Sequence, residues 1–254
     1  MKISVITVAH NSEGTIVDTL DSLDAQTHSD VEHLVIDGAS KDRTITIVRG
    51  HHNERIRLTS EPDKGIYDAM NKGLALASGE VVGFLNSDDL YSDTTVLANI
   101  ADVFQDPDVD ACYGDLVYVT QDNSRVVRFW KSKPFVKGAF AQGWCPAHPT
   151  FYVRKSVIDR LGNFKLSYKL AADAEFMMRY LERGEVRAAY IPHVLVRMRL
   201  GGATNQSWKN VVQQNREIHA ALKENGVMIT PIIYWAHKLY NRFWQFIGGR
   251  LYFG

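Results

Sequence analysis

Gly79–Tyr91 reads GEVVGFLNSDDLY, and its two halves ask for different surroundings. Glu80–Leu85 is an apolar run of strand length, which suits a strand buried on both faces. It stops on an amide, a hydroxyl and two adjacent carboxylates: Asn86, Ser87, Asp88 and Asp89. Adjacent acids at a strand end repel each other unless something cationic sits beside them. Oxygen ligands of this kind suit a hard divalent ion, Mn2+ or Mg2+. One or two carboxylates then suffice where substrate phosphates supply the rest. Without that partner the quartet is an acidic helix start, with Asp89 to Asp93 complementing the dipole of the helix that follows.

Upstream, strand and helix patterns alternate. Ile3–Ala9 is an apolar, β-branched run and predicts a buried strand; Ser12 is placed to cap a helix whose Ile16, Leu20 and Leu23 recur at helical spacing. EHLVIDGAS predicts a second strand ending in Asp37, Gly38 and Ser40, KDRTITIVRGH a short helix, and IRLTSEP a third strand. GIYDAMNKGLALASG is a helix with Ala69, Gly73 and Ala77 on one side and Gly79 past its end. After EVVGFL, DTTVLANIADVFQ is another helix.

Repeated units of this length predict a mostly parallel sheet with helices on both faces and ligands at the carboxyl ends of the strands. Ala9–Ser12, Asp37–Ser40, Glu61–Lys64 and Asn86–Asp89 then share one edge, and one crevice carries Asp37, Asp63, Asp88 and Asp89. Asp37 suits a base imide or ribose hydroxyl, or equally an Asx turn into the helix after Ser40. Neither a GxGxxG fingerprint nor a Walker A loop is present, against a Rossmann dehydrogenase and a P-loop ATPase.

From residue 110 the rhythm changes. DACYGDLVYVT and RVVRFWKS predict a hairpin around QDNS, and HPTFYVRKSVIDRLG a strand running into a helix. ADAEFMMRYLERG is a helix with Phe176, Met177, Tyr180 and Leu181 on a core-facing stripe and Arg179 aside, and VRAAYIPHVLVRMRLGG is extended. Beyond it only helices are indicated. The chain has 254 residues and a formal net charge of zero, so no global field argues for nucleic acid. Two cysteines, Cys112 and Cys145, are too few for a disulfide framework, in keeping with a reducing cytoplasm. The apolar part of the N-terminus is too short for a signal peptide, and no run approaches a membrane span.

ISVITVAHNSEGTI, VIDGASKDRT, SEPDKGIYDAMNKGLALASGEVVGFLNSDD, HPTFYVRKSVI, AADAEFMMR and VRMRLGGAT occur in this order. Together they resemble the family 2 glycosyltransferases of the GT-A fold. More narrowly they are similar to the bacterial hexosyltransferase-type enzymes that build lipid-linked surface polysaccharides such as O-antigen, capsule and exopolysaccharide. The resemblance covers residues 1 to about 205 and not the last helices. It implies an α/β Rossmann-like domain with a nucleotide-sugar-binding half (1–109) and an acceptor half (110–205), followed by a helical extension (206–254). It also implies a nucleotide-sugar donor with UDP favoured, a divalent metal, and inversion at the anomeric carbon.

Carried over by motif, Thr7, Ala9 and Asn11 lie beside base and ribose. Asp37 holds the base with Ser40 close by, and Asp63 and Lys64 border the ribose and phosphates. Asn86, Ser87 and Asp88 occupy the DxD-like position. Asp88 is the principal metal ligand with Asp89 beside it, and Asn86 stands where an aspartate is commoner. Asp173 matches the general base, although its local pattern alone fits a helix N-terminal acid. His148 matches a position near the acceptor; the alternative is a packed loop residue. Arg197, Arg199 and GGAT suit a mobile loop over the donor phosphates, or a basic strand edge.

In PIIYWAHKLYNRFWQFIGGRLYFG, the segment 231–247 forms an aromatic-rich, acid-free amphipathic helix. His237, Lys238, Asn241, Arg242 and Gln245 share one side. Such a helix suits a membrane surface with anionic headgroups, or packing on the domain or in a homodimer. A polyprenyl-diphosphate-linked glycan acceptor at the cytoplasmic membrane face favours the first. Two other functions compete. A sugar nucleotidyltransferase wants a glycine-rich basic loop where AHNSEGT offers one glycine and no Lys or Arg. A non-catalytic binding subunit has no need of a base such as Asp173.

Overall fold

The computed structural model describes residues 1–51, 53–201 and 207–230, together with 234–237, 239, 240, 244, 245 and 247. Four parallel strands, β1 (Ile3–Ala9), β2 (Val31–Asp37), β3 (Ile56–Ser60) and β4 (Val81–Phe84), alternate with α1 (Ile16–Asp24), α2 (Thr44–Gly50) and α3 (Ile66–Leu76). Every residue of β1, β2 and β4 is buried, as the predicted two-sided cover by helices requires. Ala9 pairs with Asp37, and Asp37 with Ser60, so these strands end level and open their loops along one edge.

The remaining elements are β5 (Asp89–Tyr91), α4 (Val96–Val103), β6 (Ala111–Val119), β7 (Val126–Trp130), β8 (Tyr152–Arg154), α5 (Lys155–Leu161), α6 (Ala172–Met178), β9 (Ala188–Arg199) and α7 (Trp208–Glu224). The expected hairpin is β6–β7. Strand order is β3-β2-β1-β4-β8-β6-β9-β5, with β7 beside β6. β4 and β5 are four places apart in this order, about 19 Å across a flat sheet. The chain from Phe84 to Asp89 reaches about 17 Å at full stretch, and a turn in which Asp89 N donates to Asn86 O shortens it. The sheet therefore has to curl, and the curl carries NSDD between its first strands and its last.

Three local expectations are corrected by packing. Ser12 does not cap α1; the N-cap is Thr15, and Ser12 Oγ is 2.8 Å from Ser87 Oγ. Asp89 does not start a helix: it begins β5 and pairs with Met198. Arg179 is not aside from the core but 8% exposed. It lies in a π-helical turn (Arg179–Arg183), ion-paired with Glu175 and bonded to the carbonyls of Leu161, Gly162 and Asn163.

The helix α7, assigned to the extension by sequence, packs on α6. Its Glu217 carboxylate accepts from Leu170 N (2.7 Å) and Ala171 N (3.0 Å), and Glu224 accepts from Lys165 and Tyr168. Both acids hold the loop that leads to Asp173. The described residues among 234–247 are helical. Tyr234 is buried with its ring 5.5 Å from His219, and Gln245 accepts from Arg128 Nε at 2.6 Å. Leu239, Tyr240 and Trp244 remain exposed. Lys238, Asn241 and Arg242 lie outside the described residues, as does the GGAT loop beyond Gly201. No described helix is long and apolar enough to cross a membrane.

Candidate active site

The crevice edge is built by side chains that lock one loop to the next. Asn11 (φ +52°) and Ala39 (φ +59°) are non-glycine residues in the left-handed region, a conformation found where neighbours over-determine the backbone. Here Asn11 N donates to Ser40 Oγ at 2.8 Å and Lys41 N to Asn11 Oδ1 at 2.9 Å. Asp37, 1% exposed, accepts from Ser40 N (3.0 Å), Ser40 Oγ (2.5 Å) and Ser60 Oγ (2.7 Å). The Asx-turn alternative for Asp37 is thus present in the structure. Asp63 stands over Gly38, where an added Cβ would lie 2.3 Å from Asp63 Oδ2, so a larger residue there would have to push that carboxylate aside. Asp63 Oδ1 accepts from Gly65 N, and Lys64 is exposed.

Thr7 does not reach the crevice with its side chain. It is fully buried, and its hydroxyl lies 2.8 Å from His33 Nε2. Ala9, 5% exposed, offers only the strand end.

At the NSDD corner, Asp89 is fully buried and Asp88 half-buried. Asn86 Nδ2 donates to Asp89 Oδ2 at 3.1 Å, while Asn86 Oδ1 and Asp89 Oδ1 are buried without any partner. Burial pushes the Asp88 carboxyl up against the charge of Arg199; burial and then the Asp88 charge push Asp89 well up. Orphaned buried oxygens are costly, and a hard cation is what would satisfy these and reverse the acid repulsion. The residues present therefore fit a divalent metal. Among the described residues no three His, Cys, Asp or Glu side chains cluster for one, so other oxygens would have to complete the shell.

Arg197 and Arg199 sit in β9 rather than in a loop. Arg197 Nε donates to Asn123 Oδ1 at 2.7 Å. Arg199, 4% exposed, donates to Gln121 O (2.8 Å), to Asp88 O (3.1 Å) and to the Asp18 carboxylate. Arg199 thus pins the backbone of the acidic corner, and of the two readings, mobile loop or basic strand edge, the position of both arginines in β9 fits the second.

On the other side, Asp173 lies in the first turn of α6. Its Oδ1 accepts from Tyr67 Oη at 3.0 Å and from Ala174 N at 2.8 Å. His148, 8% exposed, packs its ring 5.2 Å from Phe84 and 5.5 Å from Phe164, and neither ring nitrogen has a partner. Burial lowers its affinity for a proton, opposed by the Asp173 charge. A neutral imidazole so placed offers one donor and one acceptor. Tyr67, whose ring also stacks on Phe164 at 5.7 Å, has no counterpart in the sequence reading. It lies 106 residues from Asp173, and no local period links them.

A parallel half-sheet with an acid-lined edge, facing a second carboxylate beside a histidine, admits a comparison with known proteins. The family model described as glycosyl transferase family 2 matches residues 4–162. The chain belongs to that family. This glycosyltransferase is 32% identical over 181 residues to an uncharacterized glycosyltransferase of Mycobacterium tuberculosis, covering 70% of this chain and 68% of that one. It is 29% identical over 208 residues to a PGL/p-HBAD biosynthesis glycosyltransferase of the same species, covering 80% and 78%. Among solved structures it resembles the mannosyltransferase PcManGT of Pyrobaculum calidifontis in complex with GDP-Man and Mn2+. There the TM-score is 0.71 and the identity 22%, over 98% of this chain and 73% of that one. S. aureus TarS 1-349 in complex with UDP-GlcNAc gives 0.68 and 22%, over 87% and 66%. These likenesses establish the GT-A fold. Asp173 and the β9 arginines of the glycosyltransferase lie beyond the segment matched by the family model.

Proposed function

We propose that the enzyme transfers a sugar, with inversion, from a nucleotide-sugar to a hydroxyl of a lipid-linked glycan in surface-polysaccharide biosynthesis, using a divalent metal. The observation that carries the metal-dependent donor site is the pair of buried, unpartnered oxygens, Asn86 Oδ1 and Asp89 Oδ1, beside Asp88. A bound Mn2+ or Mg2+ would supply charge neutralisation for the leaving diphosphate. Asn86, Asp88 and Asp89 would hold it. Asp37, Ser40, Asn11 and Asp63 shape the walls for the nucleoside, and Lys64 stands exposed at their border.

Across the cleft, Asp173 takes the proton of the acceptor hydroxyl as it attacks the anomeric carbon. Its neighbour Glu175 is fully buried and consumed by ion pairs with Arg179 and Lys165, so of the two acids in this first turn Asp173 is the one left for the task. His148, buried beside Phe84 and Phe164 with both ring nitrogens unpartnered, lines the acceptor side. Relatives support the donor class: PcManGT was solved with GDP-Man and Mn2+, and TarS with UDP-GlcNAc.

Thermal unfolding with UDP, GDP, dTDP and CMP, each with and without Mn2+, tests the donor site. A diphosphate at a hundred times its dissociation constant stabilises by about 2.7 kcal/mol, a rise of roughly 5–10 °C for a chain of this size. The expected result is a rise with UDP that requires Mn2+. Equal shifts with and without metal would remove the metal from donor binding.

Attachment to a membrane surface completes the proposal. The described residues among 234–247 touch the domain through Tyr234 and Gln245, while Leu239, Tyr240 and Trp244 are exposed. Burying each such side chain contributes about 1.5–3 kcal/mol. Wild-type protein should float with anionic vesicles, and Leu239→Glu with Tyr240→Glu should weaken that by at least about tenfold. Wild-type protein left entirely in the soluble fraction would reject the attachment.

A further inference from the structure

We infer that Tyr67 is the positioning residue of the base: its hydroxyl holds Asp173 Oδ1 so that Oδ2 alone is presented to the acceptor. This rests on the proposed role of Asp173. Three observations support it. The Tyr67 hydroxyl donates to Asp173 Oδ1 at 3.0 Å, and the only other donor to that carboxylate among the described residues, Ala174 N, reaches the same oxygen. The bond joins the first turn of α3 to the first turn of α6, two helices that share one hydrophobic core. The Tyr67 ring is itself fixed, stacked on Phe164, which also packs edge-on against His148 and face-on against Phe176 at 4.5 Å.

A carboxylate held at one oxygen by a donor cannot rotate without giving up that bond. The oxygen left over then has one direction, and proton transfer depends on direction as well as distance. The hydroxyl keeps its proton throughout, because burial and then the Asp173 charge push its ionisation well up. Toward the Asp173 carboxylate, Tyr67 is the donor.

The charged and titratable groups around the pair come from three elements. Asp173 faces Tyr67 from α6, Glu217 acts on it from α7, and His148 feels Asp173 from the 3-10 turn His148–Thr150. Among the described side chains around the base, only Tyr67 donates to it.

The experiment is Tyr67→Phe, which keeps the ring and its stacking on Phe164, compared with Asp173→Asn and the wild type in full-length enzyme. A charge-assisted hydrogen bond predicts a fall in kcat of about 10- to 100-fold. Donor KM and melting temperature should stay unchanged, so the loss falls on kcat alone. Wild-type kcat in Tyr67→Phe, with Asp173→Asn inactive, would overturn the positioning role and leave the base in place. A fall in kcat accompanied by equal losses in donor affinity and melting temperature would mark Tyr67 as structural and overturn it too. Retained turnover in Asp173→Asn would instead remove the reading on which it rests.

Discussion

Asp173→Asn is expected to lower kcat by about 10^2- to 10^4-fold, the range for removal of a general base, with donor binding intact. Asparagine matches aspartate in shape, and its Oδ1 can still accept from Tyr67 Oη and Ala174 N, so the first turn of α6 keeps its bonds. What disappears is the second oxygen's capacity to take a proton. Because Asp173 contacts neither the NSDD corner nor the Asp37–Ser40–Asn11 lock, the calorimetric affinity for UDP with Mn2+ should match that of the wild type. Release of the nucleoside diphosphate in the presence of acceptor measures the rate. Undiminished release would move the search for a base to His148, whose two ring nitrogens are unpartnered. Loss of UDP binding would instead show that the substitution had disturbed the crevice.

Glu32→Ala is expected to destabilise the fold more than any substitution in the cleft. Glu32 lies in β2 with its side chain 6% exposed. It accepts from Ser4 Oγ (2.5 Å), Ser78 N (2.5 Å), Ser78 Oγ (2.9 Å), Gly79 N (3.1 Å) and Lys2 Nζ (3.2 Å). One carboxylate thereby ties β1 and β2 to the turn that leads from α3 into β4. Alanine leaves Ser78 N without its acceptor, Gly79 N with Ser4 Oγ alone, and Lys2 without its buried partner, at a cost of about 3–4 kcal/mol. That corresponds to a fall in melting temperature of roughly 6–16 °C. A change of under about 2 °C would mean that water replaces the carboxylate without loss.

The same residue gives a pH signature. Burial pushes the Glu32 carboxyl up, but the bonds from Ser4, Ser78 and Lys2 outweigh it and hold the group at about 2, against an ordinary value of 4.5. A carboxyl depressed in the folded state contributes stability that is complete above its unfolded value and is lost as pH falls through the folded one. The wild type should therefore lose stability between about pH 4.5 and 2, and Glu32→Ala should lose less over that interval. Urea unfolding at stepped pH measures both.

The expectations that held and those that failed divide by sequence distance. The strand runs ISVITVA, VEHLVID and VVGF and the crevice they open were legible because a two-sided buried strand is written in consecutive residues. The acids of NSDD were legible as a conflict, since adjacent carboxylates need an explanation wherever they stand. Thr7 was misplaced because its position at a strand end says nothing about which face the hydroxyl takes, and His33, from the neighbouring strand, claimed it. For Arg197 and Arg199 the sequence left a loop and a basic strand edge open, and pairing of Arg197 with β5 and β6 and of Arg199 with β6 places both in β9. Tyr67 gave no signal because a tyrosine in the first turn of an amphipathic helix is an ordinary core-edge residue until its partner is known.

By itself the sequence determined the alternation of strand and helix, the level edge where their loops meet, and the chemistry of that edge. Those depend on periodicity and on residue type, which neighbours along the chain settle between them. Tertiary structure alone decided which oxygens are left over. Asp37 is consumed by Ser40 and Ser60, Asn86 and Asp89 each keep an orphan, and Asp173 is held at one oxygen by Tyr67. Satisfaction of a polar atom is a sum over every group the fold brings within 3.5 Å, and a curled sheet collects those groups from both ends of the chain.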